Sequence, residues 1–196
     1  MQNTIARIAK TVQKAAAAMS NNIGKDCLWH AMAAQALFMH LGFLPNIKIG
    51  FAAWRIGNDD GAVILHAPEK GRRYEPNEIP FHAWIEFENM IFDPTTYQLG
   101  IKAKQLEEID GIKTDVIWQP PYLYVDKILV SNLRSVIQNY MVGVVGFHGL
   151  FYYEEIPDLS KFIWSNPEEL PMWDYSYEYN LLTTIYENPE VKIIVA

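Results

Sequence analysis

Residues 81–93 read FHAWIEFENMIFD, and this stretch predicts the β-hairpin around which the rest of the fold is arranged. Two short runs rich in aromatic and branched apolar residues, 81–87 and 90–93, flank the pair Glu88-Asn89. A two-residue turn at this pair aligns the two runs as antiparallel strands, so that Phe87 lies opposite Met90. Because side chains alternate between the faces of a strand, this register fixes which residues share a face.

One face of the predicted hairpin is wholly apolar and should be core: Phe81, Ala83, Ile85, Phe87, Met90 and Phe92. The other face is mixed and should be the functional one: His82, Trp84, Glu86, Ile91 and Asp93. On that face His82 and Asp93 are diagonal neighbours, about 7–8 Å apart at the backbone. A carboxylate at this distance can reach one nitrogen of the imidazole ring. We therefore predict a His82–Asp93 pair.

The third candidate is Cys27, the only cysteine, within Gly24-Lys25-Asp26-Cys27-Leu28-Trp29-His30 at the predicted start of a helix. A helix N-terminus or a nearby imidazolium lowers a thiol pKa from ~8.5 to ~3.5–7.5, which makes the sulfur nucleophilic. We predict Cys27 as nucleophile, His82 as general base and acid, and Asp93 as the group that orients the ring. Each residue alone also has a structural interpretation, since a lone cysteine on a helix is usually buried core.

Residues 20–100 resemble the transglutaminase-like superfamily, which belongs to the papain-like fold. The resemblance rests on Cys27 at a helix start, on the segment from His82 to Glu86, and on Phe92-Asp93-Pro94-Thr95. It implies that the catalytic cysteine, histidine and aspartate of the family correspond to Cys27, His82 and Asp93. An oxyanion donor upstream of the cysteine is also usual in such enzymes, which implies Asn21 or Asn22.

The resemblance implies a cysteine-dependent hydrolase or acyltransferase that acts on an amide, ester or thioester through a thioacyl-enzyme. The same superfamily includes inactive members, so a non-catalytic binding domain is the alternative, and a structural protein with a merely buried Cys27 is a third. No cofactor is implied. The expected partner is a small-molecule, peptide or acyl substrate.

Trp84 and His30 are weaker candidates for substrate binding. Trp84 shares the face of His82 and Asp93, and His30 follows Cys27 by three residues on the same side of the helix. Both also fit a packing role. The aromatic residues of 151–186 are either a binding groove or the core of a region with little periodicity.

Around this hairpin the pattern predicts an α+β domain, with helices first and a mostly antiparallel sheet after them. The predicted helices cover residues 4–19, 26–40, 102–108, 131–140 and 177–186. The predicted strands cover residues 47–56, 62–66, 81–87, 90–93, 115–118 and 122–130. We interpret residues 1–196 as a single transglutaminase-like domain, with a core at 20–100 and an aromatic-rich C-terminal extension at 101–196.

Charge and composition narrow the class of protein. The net charge is −7, and all of it comes from residues 151–196, which carry two lysines and nine acidic residues. Without a basic face, nucleic acid is not an expected partner, and no apolar run is long enough to predict a membrane span. One cysteine excludes an internal disulfide and a cysteine-rich metal site, so we predict no metal and a cytoplasmic location. The oligomeric state stays open.

Overall fold

The computed structural model describes residues 1–19, 24–58, 62–67, 80–137, 149–166 and 175–193 of the chain. The helices in these ranges are α1 (Gln2–Met19), α2 (Cys27–His40), α3 (Leu99–Asp110), α4 (Leu133–Ile137), α5 (Pro157–Ser165) and α6 (Tyr175–Glu187). The strands are β1 (Asn46–Arg55), β2 (Val63–His66), β3 (His82–Phe87), β4 (Met90–Asp93), β5 (Leu123–Asp126) and β6 (Phe151–Glu155). Short 3-10 turns, Thr96–Gln98 and Lys127–Leu129, follow β4 and β5.

The strands form one antiparallel sheet in the order β2-β1-β3-β4-β5, with β6 also paired to β1. The predicted α+β class with a mostly antiparallel sheet is thereby confirmed at this level of detail. The hairpin register is also as predicted, with Phe87 opposite Met90 and Ile85 opposite Phe92. Glu88 takes the positive φ of 56° that this tight turn requires.

Strand β1 is the centre of the sheet because three strands pair with it. Its first half pairs with β3, its second half with β2, and Gly50–Trp54 with β6. Gly50 lies where β3 and β6 both meet β1, and a Cβ there would fall 1.9 Å from the carbonyl oxygen of Glu154. This close approach of backbones requires glycine. Through β6, the C-terminal part of the chain belongs to the same sheet as the hairpin.

Both faces of the hairpin are buried. The apolar face, with Ala83, Ile85 and Phe92, is core as predicted, in a cluster with residues of α1, α2 and α6. The mixed face was predicted to be the functional one. Its residues Trp84 and Ile91 lie inside a second core cluster that includes residues of β1, β6 and α3, so most of this face is covered. The prediction missed this second layer because it treated the 151–186 aromatics as irregular, whereas Phe151 and Tyr153 extend the sheet over that face.

Helix α2 lies inside the protein and is buried on most of its sides. Ten of its fourteen residues are buried, including Cys27 and His30 at its start. Near its C-terminal end, Met39 is 51% exposed. Since α1, α6 and the sheet all contact α2, burial surrounds the helix, and its sequence is accordingly apolar and small on most sides.

Several C-terminal elements differ from the prediction. Residues 115–118 form no strand, although the N–H groups of Ile117 and Trp118 donate to the carbonyl oxygen of Ile56. The strand predicted over 122–130 ends at Asp126, because Asp126 caps a 3-10 turn by accepting a hydrogen bond from the N–H of Ile128. Strand β6 and helix α5 were not predicted. Among the described residues, none of the helices combines the length and apolarity needed to span a bilayer.

Candidate active site

His82 and Asp93 form a fully buried hydrogen-bonded pair at one end of the β3–β4 hairpin. His82 begins β3 and Asp93 ends β4, so the antiparallel pairing brings them to the same end of the hairpin. The imidazole Nε2 lies 2.8 Å from Asp93 Oδ2, and neither side chain is exposed. A carboxylate accepts, so Nε2 carries the proton and Nδ1 is the ring nitrogen left for another partner.

Each carboxylate oxygen of Asp93 accepts two hydrogen bonds. Its Oδ1 accepts from the backbone N–H of Thr95 at 2.8 Å and from the Thr95 hydroxyl at 2.7 Å. Its Oδ2 accepts from the Tyr153 hydroxyl at 2.6 Å in addition to His82. Four charge-assisted hydrogen bonds fix the carboxylate in place, so it can orient the imidazole without moving.

Aromatic rings enclose the imidazole of His82. The Trp54 ring meets it edge to face with centroids 4.8 Å apart, and Trp84 stacks on it at 6.3 Å with an interplanar angle of 12°. These contacts exclude water from the His82–Asp93 pair. In a medium of low polarity, the interaction between the two charges is stronger than it would be in water.

Cys27 lies against the first residues of β3. Helix α2 begins at this residue, and its preceding N-cap residue Asp26 makes no side-chain hydrogen bond to the helix. The thiol lies 3.9 Å from the carbonyl oxygen of Phe81, the residue before His82. The side chain is 7% exposed. The predicted approach of the α2 start to the hairpin is therefore present in the structure.

The electrostatics favour a thiolate on Cys27. Burial raises the pKa of the thiol and is the largest single effect, whereas the hydrogen bond and charge interaction with His82 lower it. The Lys102 ammonium and the backbone N–H of Ala83 add to this lowering. The net pKa of Cys27 lies below its ordinary value, as a nucleophilic cysteine requires.

The pKa values of His82 and Asp93 are also shifted from their ordinary values. Burial lowers the pKa of His82, but the charge and hydrogen bond of Asp93, together with Cys27, raise it to about 9. For Asp93, burial raises the pKa, but the same pairing with His82 and the bonds from Tyr153 and Thr95 hold it well below its usual range. At neutral pH His82 is therefore an imidazolium paired with the Asp93 carboxylate, and the lowered pKa of Cys27 favours a thiolate on its other side.

The second nitrogen of His82 is the natural partner for the thiol. Nδ1 is buried and has no hydrogen bond of normal geometry within the described residues. Cys27 nevertheless raises the pKa of His82 through its charge and hydrogen-bonding capacity. Because Nε2 is occupied by Asp93, the proton shared with the sulfur belongs on Nδ1.

The weaker candidates are placed differently. Asn21 and Asn22, predicted as oxyanion donors, lie outside the described residues. Trp84 is buried under the imidazole, and His30 is fully buried, with Nδ1 donating to the carbonyl oxygen of Asp26 at 2.9 Å and Nε2 3.0 Å from the Tyr97 hydroxyl. Neither side chain is exposed, so substrate binding by Trp84 or His30 stays a prediction that the structure does not support.

Sequence reasoning missed several residues that build the site. Tyr153 was overlooked because β6 was not predicted, although Phe151 and Tyr153 alternate with polar residues as a strand would. Gln98 was also missed. Its Oε1 accepts from the N–H of Gly24 at 3.2 Å and its Nε2 donates to Asp26 Oδ1 at 3.1 Å, so it fixes the chain leading into α2.

Two further polar groups border the site. One is His66, whose ring centroid lies 5.5 Å from that of His82 and for which the sequence indicates no partner. Lys102 lies on the inward side of α3, at helical spacing with the buried Leu99 and Ala103, which is a signal the sequence contained. In the described part of the chain, no three His, Cys, Asp or Glu side chains converge as a metal ion would need.

Comparison with known proteins gives a family without an activity. A family model described as "Protein of unknown function (DUF2026)" matches residues 1–106, which include Cys27, His82 and Asp93. No curated protein is detectably similar in sequence. A crystal structure described as "genomics APC5867" matches with a TM-score of 0.58 and 14% identity, over 95% of this chain and 78% of that one. At this identity the likeness concerns the fold alone.

Proposed function

We propose that this chain, which belongs to the DUF2026 family of proteins of unknown function, is a cysteine hydrolase or acyltransferase. Its substrate is an amide, ester or thioester, and its fold is of the transglutaminase-like, papain-like kind. The observation that carries the proposal is the buried His82–Asp93 pair, joined at 2.8 Å, with the thiol of Cys27 beside it.

The reaction begins with attack of the Cys27 thiolate on the substrate carbonyl carbon. A C–S bond forms and the carbonyl oxygen becomes an oxyanion, for which the backbone N–H of Cys27 at the start of α2 is the expected donor. His82 then gives its Nδ1 proton to the leaving amine, alcohol or thiol as that bond breaks. The product of this half-reaction is a thioacyl-enzyme.

The second half-reaction releases the acyl group. His82, now neutral, accepts a proton from water in a hydrolase or from an amine in a transferase, and the resulting nucleophile displaces the sulfur. Asp93 keeps its proton-free form throughout and holds the imidazole with Nε2–H toward itself. Its four hydrogen bonds make this role possible without any movement of the carboxylate.

A direct test is the rate of Cys27 alkylation by iodoacetamide from pH 4 to pH 10, followed by mass spectrometry. We expect wild type to react at pH 6 well above the rate of glutathione. His82→Ala should raise the thiol pKa, and each unit of increase removes about tenfold of the thiolate at pH 6. A thiol that titrates near the ordinary value and does not respond to His82→Ala would contradict the proposal.

His40→Ala is the matched control, since His40 lies at the opposite end of the same helix, roughly 20 Å from Cys27 by helix geometry. It should leave the alkylation profile unchanged. Acyl transfer itself is tested with p-nitrophenyl acetate: wild type should release a burst of nitrophenolate and carry an acetyl group on Cys27, whereas Cys27→Ala should do neither.

The alternative, a non-catalytic binding domain, is favoured by one observation. Cys27 is only 7% exposed and His82 is fully buried. In that case the thiol should resist alkylation until the protein unfolds, and p-nitrophenyl acetate should give no burst. The two experiments therefore separate the two functions.

A further inference from the structure

A cavity of about 390 Å³ lies beside the candidate active site, between β2, α3 and the turn that leads into α2. His66 and Lys102 line it, together with Gly24 and Lys25, which precede Cys27 by three and two residues. Since the rings of His66 and His82 are 5.5 Å apart, the cavity reaches the neighbourhood of the catalytic pair. Apolar side chains such as Ile64 and Leu106 form much of the remaining wall.

The ammonium of Lys102 is buried, and a contact with the neutral imidazole of His66 fixes its position. Its Nζ lies 2.7 Å from His66 Nε2, and the residue is 6% exposed. His66 Nδ1 lies 3.1 Å from the carbonyl oxygen of Phe81 and must donate to it, which leaves Nε2 as the acceptor for the ammonium. Burial and the Lys102 charge lower the pKa of His66 to about 3, so the ring does not titrate near neutrality.

His66 therefore orients Lys102 without neutralising it. In the described part of the chain no carboxylate forms an ion pair with Lys102. Two of its three N–H donors are not used by His66. Burial lowers the pKa of Lys102, and the negative charges of Cys27, Asp93 and Asp26 oppose this lowering from a distance without forming an ion pair with it. An anion in the cavity would give the buried ammonium the direct partner that these groups do not supply.

We propose that this cavity binds a carboxylate of the substrate, with Lys102 as its ion-pair partner. The inference rests on the proposed function, because the reacting carbonyl must lie at Cys27. The substrate class is then an acyl compound with a carboxylate a few atoms from its reacting carbonyl. The apolar wall holds the short chain between the two groups.

The charge of the lining favours a single negative charge. Its described charged groups are Lys25 and Lys102 on one side and Glu108 on the other, and His66 is neutral. The balance is one positive charge, which matches a carboxylate. A doubly charged phosphate would meet the repulsion of Glu108 without a second buried cation to offset it.

The test compares two alkylating probes that differ in one charge, N-(iodoacetyl)glycine and N-(iodoacetyl)glycinamide. Their rate ratio on Cys27, divided by the same ratio on glutathione, removes intrinsic reactivity and the thiolate fraction. We expect a preference for the carboxylate of roughly tenfold in wild type, in keeping with a charge-assisted hydrogen bond. Lys102→Met should abolish the preference and Lys102→Arg should retain part of it.

Lys104→Met is the matched control, since Lys104 is an exposed lysine on the same helix that does not line this cavity. It should keep the wild-type ratio. A wild-type ratio equal to that of glutathione, or one that Lys102→Met leaves unchanged, would overturn the anion site while both probes still react, so the triad would stand.

A second measurement covers the case in which the thiol does not react at all, where the proposed function fails. N-acetylglycine has no reactive carbon, and its binding can be followed by isothermal titration calorimetry. Binding to wild type that is lost in Lys102→Met, with N-acetylglycinamide as the neutral control, supports the anion site. No binding of N-acetylglycine to wild type overturns it.

Discussion

The β3–β4 hairpin carries two ion pairs of the same length in opposite surroundings. At one end His82 and Asp93 lie 2.8 Å apart with neither side chain exposed. At the other end Glu86 and Lys127 are also 2.8 Å apart, but their side chains are 15% and 51% exposed. Distance alone does not distinguish the pairs, so burial and additional hydrogen bonds must decide what each contributes.

The buried pair is supported from several directions, whereas the exposed pair has water available. Asp93 accepts from Thr95 and Tyr153 as well as from His82. If one partner of a buried pair is lost, the other is left charged without solvent, which is costly. If one partner of an exposed pair is lost, water replaces it, and double-mutant cycles usually give less than about 1 kcal/mol. The loss of one partner should therefore destabilise the protein more at the buried end of the hairpin than at the exposed end.

The largest expected effect is on the buried pair. Asp93→Ala leaves the imidazole of His82 and the hydroxyl of Tyr153 buried without their acceptor, and should lower the free energy of unfolding by roughly 3–5 kcal/mol. Urea denaturation at pH 7 measures this. Asp93→Asn, which preserves shape and part of the hydrogen bonding, should lose less. An alanine variant within about 1 kcal/mol of wild type would remove the distinction between the pairs.

The second expected effect is a pH dependence. The pKa of His82 is raised to about 9, so its contribution to stability is fully present below the unfolded pKa of ~6.5 and is lost as pH rises toward 9. Cys27, whose pKa is lowered, contributes in the opposite direction and gains stability as pH rises. The measurement therefore uses Cys27→Ala, in which Asp93 remains to raise the pKa of His82.

We expect Cys27→Ala to lose on the order of 1–3 kcal/mol of unfolding free energy between pH 6.5 and pH 9.5. The double variant Cys27→Ala with His82→Gln should lose clearly less over the same range. Equal losses in the two proteins would show that His82 has an ordinary pKa and that the buried pair does not hold a charge.

The smallest expected effect is at the exposed pair. Lys127→Met and Glu86→Gln, singly and together, should give a coupling energy of less than about 1 kcal/mol in a double-mutant cycle. Added salt should reduce it further. A coupling as large as the Asp93→Ala effect would mean that burial does not separate the two ends of the hairpin.

The hairpin could be predicted in detail because its register depends only on residues that are close together in the sequence. Alternation along β3 and β4 and a two-residue turn fixed the register, and the register brought His82 to Asp93 without any knowledge of distant contacts. The start of α2 was equally local, since Gly24 and Asp26 mark the break before Cys27.

What the sequence did not reveal depends on long-range packing. Tyr153 reaches Asp93 only because β6 pairs with β1, and nothing local near residue 153 specifies that partner. The pairing of Lys102 with His66 likewise joins α3 to β2 across 36 residues. The burial of the mixed face was missed for the same reason, because Phe151 and Tyr153, which help to cover it, belong to the distant strand β6.

We expect the bond from Tyr153 to Asp93 to form late during folding. The two residues are 60 positions apart, and β6 must cross from the C-terminal part of the chain to pair with β1. Contacts of such sequence separation form late, since closing the intervening loop costs entropy before the pairing repays it. In a nascent chain that has formed the hairpin but not β6, Asp93 therefore lacks the hydrogen bond from Tyr153. The carboxylate reaches its final set of donors only when strand β6 has joined the sheet.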